Sequence, residues 1–178
     1  MRVITGSARG RRLKTLEGES VRPTTDKVKE SIFNIIQFDV EGSRVLDMFA
    51  GCGQLGIEAL SRGARSAVFV DSARASMAVV EENLEATGFR SASKTVLGDS
   101  LSYLDRTSEI FDIALLDPPY KAGLMEDAIE RVRLHMADGG IIVCETAAEE
   151  VLPEVIDGFT SKRYKYGKIA LTVYRKGV

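Results

Sequence analysis

The stretch that decides the fold is Val45-Leu46-Asp47-Met48-Phe49-Ala50-Gly51-Cys52-Gly53-Gln54-Leu55-Gly56. It reads as a β-run, a glycine loop and the start of a helix, an order that brings backbone N–H groups close to a ligand. Short runs of apolar or β-branched residues recur around it at Arg44–Met48, Ala67–Val70, Ser93–Leu97, Ile113–Leu116 and Ile141–Glu145. Runs apolar at nearly every position suit strands buried on both faces of a parallel sheet. Between them, Leu55–Arg62, Arg74–Thr87 and Leu124–Met136 carry helical spacing, and Gly63 and Gly88 stand where two of these helices would stop. Alternation of strand and helix predicts a doubly wound α/β sheet.

The ends break the alternation. Arg2–Thr5 and Arg11–Thr15 read as a small hairpin across Gly6–Gly10, followed by a helix near Thr25–Ile36 with Asp26 in its first turn. Lys162–Tyr166 and Ile169–Tyr174 flank Gly167 and read as an antiparallel hairpin closing the sheet. No linker or repeat divides the 178 residues, so one domain is expected over 1–178, with a basic extension at 1–40 and the core at 41–178.

Charge is unevenly spread. Residues 1–40 hold eight Lys/Arg and five Asp/Glu; residues 160–178 hold six basic side chains and no acid; the segment between carries a net charge of −11. Basic ends around an acidic centre point to polyanion contact if they flank a pocket. No apolar run exceeds four residues, which excludes a membrane helix. The opening MRVITGSARGRR has no apolar h-region, so it does not read as a secretory signal, and the cytoplasm is the expected compartment. Two separated cysteines and one histidine, His135, argue against a disulfide scaffold, a zinc site and a His-based triad.

Gly51, Gly53 and Gly56 match GxGxxG, with Asp71 twenty residues after Gly51. A dinucleotide reading fails on Asp47: a carboxylate ahead of the loop repels a pyrophosphate but accepts hydrogen bonds from an ammonium group. S-adenosylmethionine has a cationic amino-acid tail and no phosphate. Asp71 is placed to accept from ribose hydroxyls, and Asp99 in Gly98-Asp99-Ser100 from the adenine amine. Any one such acid is more often solvated or capping a helix; three at successive strand ends, where open α/β sheets bind ligands, form a pattern. The expected cofactor residues are Asp47, Phe49, Ala50, Gly51, Gly53, Gly56, Asp71, Ser72, Asp99 and Ser100.

Asp117-Pro118-Pro119-Tyr120 follows the run Ile113–Leu116. Two prolines fix the backbone and remove two donors, leaving the Asp117 carboxylate and the Pro118 carbonyl as acceptors beside an aromatic ring. Such a cluster can accept both N–H bonds of a base amine, localise its lone pair and stack the base on Tyr120. The expected catalytic residues are Asp117, Pro118, Pro119 and Tyr120, with no metal.

DMFAGCGQLGIEAL with LLDPPY resembles the class I S-adenosylmethionine-dependent amino-methyltransferases. RVITGSARGRRLKT, VRPTTDKVKESIFNII and RYKYGKIALTVYR extend the resemblance over nearly the whole chain, to the bacterial 16S ribosomal RNA guanine-N2 methyltransferases of the RsmD type. The resemblance implies a Rossmann-like, mostly parallel seven-stranded sheet with a C-terminal antiparallel hairpin. It also implies a cytoplasmic, monomeric enzyme acting on 16S rRNA or the assembling small ribosomal subunit. RNA contact is expected from Arg9, Arg11, Arg12, Arg22, Thr24 and Lys27, with Lys29 on the same basic stretch. Cys52, Gln54 and Tyr120 depart from the family's usual serine, alanine and phenylalanine. Two other readings are a DNA adenine-N6 methyltransferase and a non-catalytic ribosome-assembly factor that retains the fold. Cys52 reads as inert because no histidine base is close in sequence, and His135 as a helix C-terminal residue.

Overall fold

The computed structural model describes residues 1–16, 25–119 and 123–178. Among these residues five α-helices and eight strands follow in the order α1 (Asp26–Ile35), β1 (Arg44–Met48), α2 (Gln54–Ser61), β2 (Ser66–Asp71), α3 (Arg74–Thr87), β3 (Ser93–Leu97), α4 (Ser100–Leu104), β4 (Phe111–Leu116), α5 (Leu124–Val132), β5 (Met136–Ala147), β6 (Val155–Ile156), β7 (Phe159–Tyr166) and β8 (Ile169–Lys176). The strands form one sheet in the order β3-β2-β1-β4-β5-β8-β7-β6. β3 to β5 run parallel, while β8, β7 and β6 pair antiparallel. The sheet is doubly wound, as expected, with an eighth strand supplied by the two residues of β6.

The chain leaves β1 outward through β2 and β3, then returns to β4 on the other side of β1. The carboxyl ends of β1 and β4 therefore mark the switch point at which open α/β sheets hold ligands. Strand alternation splits the core. Val45, Phe69, Ile113 and Val143 face a cluster with Val3, Leu13, Val28, Ile32 and Ile57. Leu46, Met48, Leu116 and Ile142 face a second cluster with Tyr103, Met125, Ile129 and Tyr174. Asp47 shares the parity of Val45 and so lies on the face covered by α1 to α3.

Two expectations change. The helix expected to run to Met136 ends at Val132, a 3-10 turn covers Arg133–His135, and Met136 begins β5. The imidazole Nδ1 of His135 lies 3.2 Å from the Glu109 carbonyl. The N-terminal hairpin is reduced to a single antiparallel bridge, Arg2 with Arg12. Its arms still exchange backbone hydrogen bonds, Val3 N–H to the Arg11 carbonyl at 2.9 Å and Leu13 N–H to the Met1 carbonyl at 3.0 Å, and α2 binds the groups left over. Glu58 accepts from the N–H groups of Ile4 (2.8 Å) and Thr5 (3.0 Å), and Ser61 Oγ accepts from Ala8 N–H at 3.0 Å. A Cβ on Gly6 would stand 1.8 Å from the Ser61 carbonyl oxygen at a φ of +88°, so only glycine allows this approach. Val3, Ala8 and Leu13 are buried, which makes the arm part of the domain.

Lys29 is also not on a solvated face. Its side chain is fully buried; Nζ donates to the Arg2 carbonyl at 2.6 Å and lies 3.7 Å from Glu58 Oε2. Arg62 completes the group, donating from Nε to Glu58 Oε1 at 2.9 Å. Burial lowers the Lys29 pKa against the opposing pull of Glu58.

Candidate active site at the switch point

β1 delivers Asp47 to the base of the glycine loop, where its side chain is buried. Oδ2 accepts from Gly56 N–H at 2.8 Å, tying the strand to the first turn of α2. The approach is close because Gly56 has no side chain: an added Cβ would lie 2.3 Å from the Phe69 ring and 3.0 Å from Asp47 Oδ2. Burial pushes the Asp47 carboxyl well above the usual range, and the charges of Asp117 and Asp71 push it further, against the Gly56 hydrogen bond. The charges of β2 and of the end of β4 therefore reach Asp47 across the switch point.

Asp71 closes the loop from the neighbouring strand. Oδ2 accepts from Gly51 N–H at 2.9 Å and Oδ1 from Ala73 N–H at 2.8 Å. Ala50 N–H donates to the Val70 carbonyl at 3.0 Å, and Phe49 stands at φ +62°, strained for a residue with a side chain. Ser72 is exposed just beyond β2. Asp99 caps α4, accepting from Ser102 N–H at 2.8 Å, a bond that lowers its pKa; Ser100 is buried as the first residue of that helix.

An S-adenosylmethionine molecule fits these residues. The positions above Gly51 and Gly98 are open, with nothing within 4 Å of where a Cβ would stand. The surrounding groups are acceptors: Asp47, Asp71, and the Gln54 Oε1, which is buried beside the loop and has no hydrogen-bond partner among the described residues. An acceptor-rich, carboxylate-strained cradle suits a sulfonium and an ammonium and would repel a phosphate. Among the described residues no group of His, Cys, Asp and Glu is arranged to hold a metal ion.

Asp117, Pro118 and Pro119 leave β4 next to β1, whose register pairs Met48 with Leu116. They thus lie beside the loop, Asp117 and Pro118 half-buried and Pro119 exposed. Tyr120 lies outside the described residues, as do Arg22 and Thr24. Arg9, Arg11, Arg12 and Lys27 are exposed. Arg9, Arg11 and Arg12 share one turn and its return strand, while Lys27 stands on α1. The turn bearing Arg9 packs on Ser61, at the far end of α2 and about 12 Å from the glycine loop. Arg12, by contrast, is two residues from Lys14, whose backbone is held at the loop itself.

Asn83 on α3 was missed in the sequence, where it reads as one more polar residue of an amphipathic helix. Its buried carboxamide holds Lys14 and donates from Nδ2 to the Cys52 carbonyl at 2.9 Å. Cys52 itself is buried, its Sγ 3.6 Å from the thioether sulfur of Met1, and burial raises its pKa, the opposite of an activated nucleophile.

Sheet order, glycine loop and acidic strand ends define the class: a Rossmann-like methyltransferase fold of the kind that takes S-adenosylmethionine. The model of the family described as "Conserved hypothetical protein 95" matches residues 1–175, and this chain belongs to that family. It is 34% identical to the Ribosomal RNA small subunit methyltransferase D of Escherichia coli K12, over 99% of this chain and 90% of that one. It is 39% identical to the Bacillus subtilis protein YlbH, provisionally named an rRNA methyltransferase, over 99% of both. The solved E. coli protein yhhF, provisionally described as a methyltransferase, superposes with a TM-score of 0.89 at 33% identity, over 99% of this chain and 98% of that one.

Proposed function

We propose that this chain is an S-adenosylmethionine-dependent methyltransferase acting on small-subunit ribosomal RNA, and that the acceptor is the exocyclic N2 amine of a guanine. The observation that carries the reading is the adjacency of Asp117-Pro118-Pro119 to the glycine loop at one switch point, close enough for Asp117 to raise the Asp47 pKa. The cofactor supplies an activated methyl group on sulfur. Asp47 and Asp71 hold the loop, with Asp47 facing the ligand's positive charge and Asp71 its ribose. Gly51, Gly53 and Ala50 offer close backbone approach, Phe49 and Ser72 border the site, and Asp99 and Ser100 border the adenine end.

At the acceptor end, Asp117 and the Pro118 carbonyl accept the two amine N–H bonds, and Pro119 fixes the path of the chain. Tyr120 is the proposed stacking partner of the base. Holding the amine in line with the methyl group, with its lone pair localised, provides orientation and electrostatic stabilisation, so no strong base is needed. Arg9, Arg11, Arg12, Arg22, Thr24 and Lys27 are proposed RNA contacts within the 1–40 extension. The working form is a cytoplasmic monomer acting on 16S rRNA or an assembling small subunit. No helix among the described residues is long and apolar enough to cross a membrane.

The test is methyl transfer from labelled S-adenosylmethionine to stripped 16S rRNA, assembled small subunits and duplex DNA. Label on guanine N2 of RNA supports the reading. Label confined to DNA adenine would replace it with the adenine-N6 reaction. Cofactor binding without transfer to any of the three would leave an assembly factor.

A further inference from the structure

The basic C-terminal segment is the feature that the site does not absorb. Of its six cations, three are engaged. Arg163 donates to the carbonyls of Ala148 and Glu150, Arg175 pairs with Asp39 at 3.2 Å, and Lys176 donates to the Met136 carbonyl and lies 3.5 Å from Asp138. Lys162, Lys165 and Lys168 are exposed and pair with no carboxylate among the described residues.

Topology sets where these three stand. β4 and β5 are in register to Leu116 and Cys144, and β5 continues three residues further, to Ala147. Ala147 pairs with Ile169, and Ile169 with Tyr166, so the β7–β8 turn overhangs the end of β4 by about 10 Å. It stands beside the segment Asp117–Pro119, and β7 is three strand spacings from β4, roughly 14 Å. The hairpin is braced: Tyr164 and Tyr166 pack on the cluster that includes Val28 and Ile32, and Lys162 Nζ lies 5.2 Å from the Tyr164 ring centre. Arg163 and Lys165 lie on the other face, Arg163 turned toward the Ala148–Glu150 backbone, which leaves Lys162 beside the aromatic pair and Lys168 in the turn.

We infer that the tip and edge of the β7–β8 hairpin, with Lys162 on one face, Lys165 on the other and Lys168 in the turn, bind phosphates of the RNA backbone next to the target base. The inference rests on the RNA reading above. Three exposed lysines that meet no carboxylate among the described residues, on a braced hairpin at the catalytic edge, supply sequence-independent affinity where a flipped base leaves its strand. The Arg9 turn is held at the Ser61 end of α2, away from the glycine loop, and does not supply that affinity at the pocket.

The experiment compares full-length wild type with K162Q/K165Q/K168Q and K162R/K165R/K168R in binding to unmodified 16S rRNA over a salt series, with cofactor affinity and methyl transfer measured in parallel. Each lost phosphate contact lowers the slope of log K against log salt by about 0.7–0.9. The glutamine variant is expected to lose about tenfold or more in RNA affinity and about 2–3 in slope, with S-adenosylmethionine affinity unchanged, while the arginine variant retains both. Wild-type RNA affinity and slope in the glutamine variant, with wild-type enzyme methylating rRNA, would overturn the hairpin's role and leave the RNA reading standing. Failure of the wild type to bind or methylate rRNA would remove both.

Discussion

Asn83 clasps the backbone of Lys14 from both sides: Oδ1 accepts from the Lys14 N–H at 2.8 Å, and Nδ2 donates to the Lys14 carbonyl at 3.0 Å. The same Nδ2 reaches the Cys52 carbonyl in the glycine loop, so one side chain joins the N-terminal arm, α3 and the proposed cofactor loop. Asn83→Ala would leave buried polar groups unpaired, at about 1–3 kcal/mol each. The expected outcome is a lower Tm together with an S-adenosylmethionine Kd weakened about tenfold. Calorimetric titration of the folded variant checks it; an unchanged Kd would reduce the clasp to a brace for the arm.

Glu58 is the acceptor for Ile4 and Thr5 and the counter-charge for Lys29 and Arg62. Its removal strands a fully buried ammonium, and breaking such a pair costs about 3–5 kcal/mol. Burial already holds the Lys29 pKa below 10.5, and without Glu58 it falls further. A lysine whose folded pKa is depressed takes up its proton more readily in the unfolded chain. Stability is therefore lost as pH falls below the unfolded value and regained as pH rises toward it. Glu58→Ala is expected to be strongly destabilised at pH 7 and to recover part of the loss between pH 8 and about 10. Denaturant titrations across that range check the sign.

Asp47 works in the opposite sense. Its carboxyl is raised by burial and by its acidic neighbours, so carrying it ionised costs folding free energy above the unfolded pKa near 3.8, and the cost grows as pH rises toward the folded value. Asp47→Asn keeps an oxygen for Gly56 N–H and removes the charge. The variant is expected to melt higher at neutral pH, about 2–4 °C for each kcal/mol relieved, with the gain vanishing near pH 4. Its affinity for the cationic cofactor should fall. A variant no more stable at pH 7 than wild type would contradict the electrostatic assignment.

What the sequence disclosed follows from periodicity. Arg44–Met48 and Arg74–Thr87 have the bounds that their apolar spacing predicts, because a strand buried on both faces and a four-turn amphipathic helix each repeat a local signal. Ser93–Leu97 also has its expected bounds, although as the edge strand it is half exposed. The loop residues at the switch point were legible for the same reason: glycines and acids at strand ends are local punctuation. Glu58, Ser61, Asn83 and Lys29 were not. Each reads as the polar side of a helix, and its role comes from an arm between 27 and 69 residues away that packs on that side. Asp99 shows the limit from the other direction, since a strand-end acid that caps the next helix has the same sequence signature as one that meets a ligand.

Asp117 and Asp47 should separate in kinetics although they are coupled in charge. Asp117 is assigned to the acceptor amine, so Asp117→Ala is expected to lose about 10²–10³ in turnover while binding cofactor near-normally. Removing its charge also relieves Asp47, which should then titrate at lower pH. Single-turnover methyl transfer and cofactor titration on the same preparation check the split. Near-wild-type transfer would take Asp117 out of the catalytic set.

The arm offers a graded test, because its three arginines stand at different distances from the glycine loop. Arg9 sits in the turn fixed to Ser61, whereas Arg12 bridges Arg2 and lies two residues before Lys14, which Asn83 holds at the glycine loop. The three arginines lie within three residues of chain, at most about 10 Å, with Arg12 on the side of the glycine loop. RNA gripped at the pocket reaches the Arg12 end first, and a phosphate contact there contributes about 0.7–0.9 to the salt slope. Arg12→Ala is therefore expected to weaken rRNA binding and flatten its salt dependence by that amount, Arg11→Ala by less, and Arg9→Ala least. All three should leave the cofactor Kd unchanged, since none of their side chains enters the loop. Fluorescence titrations of 16S rRNA over several salt concentrations would read the gradient. Equal effects at all three positions would mean that RNA covers the whole turn, and no effect at any of them would reduce the arm to a structural brace for the loop.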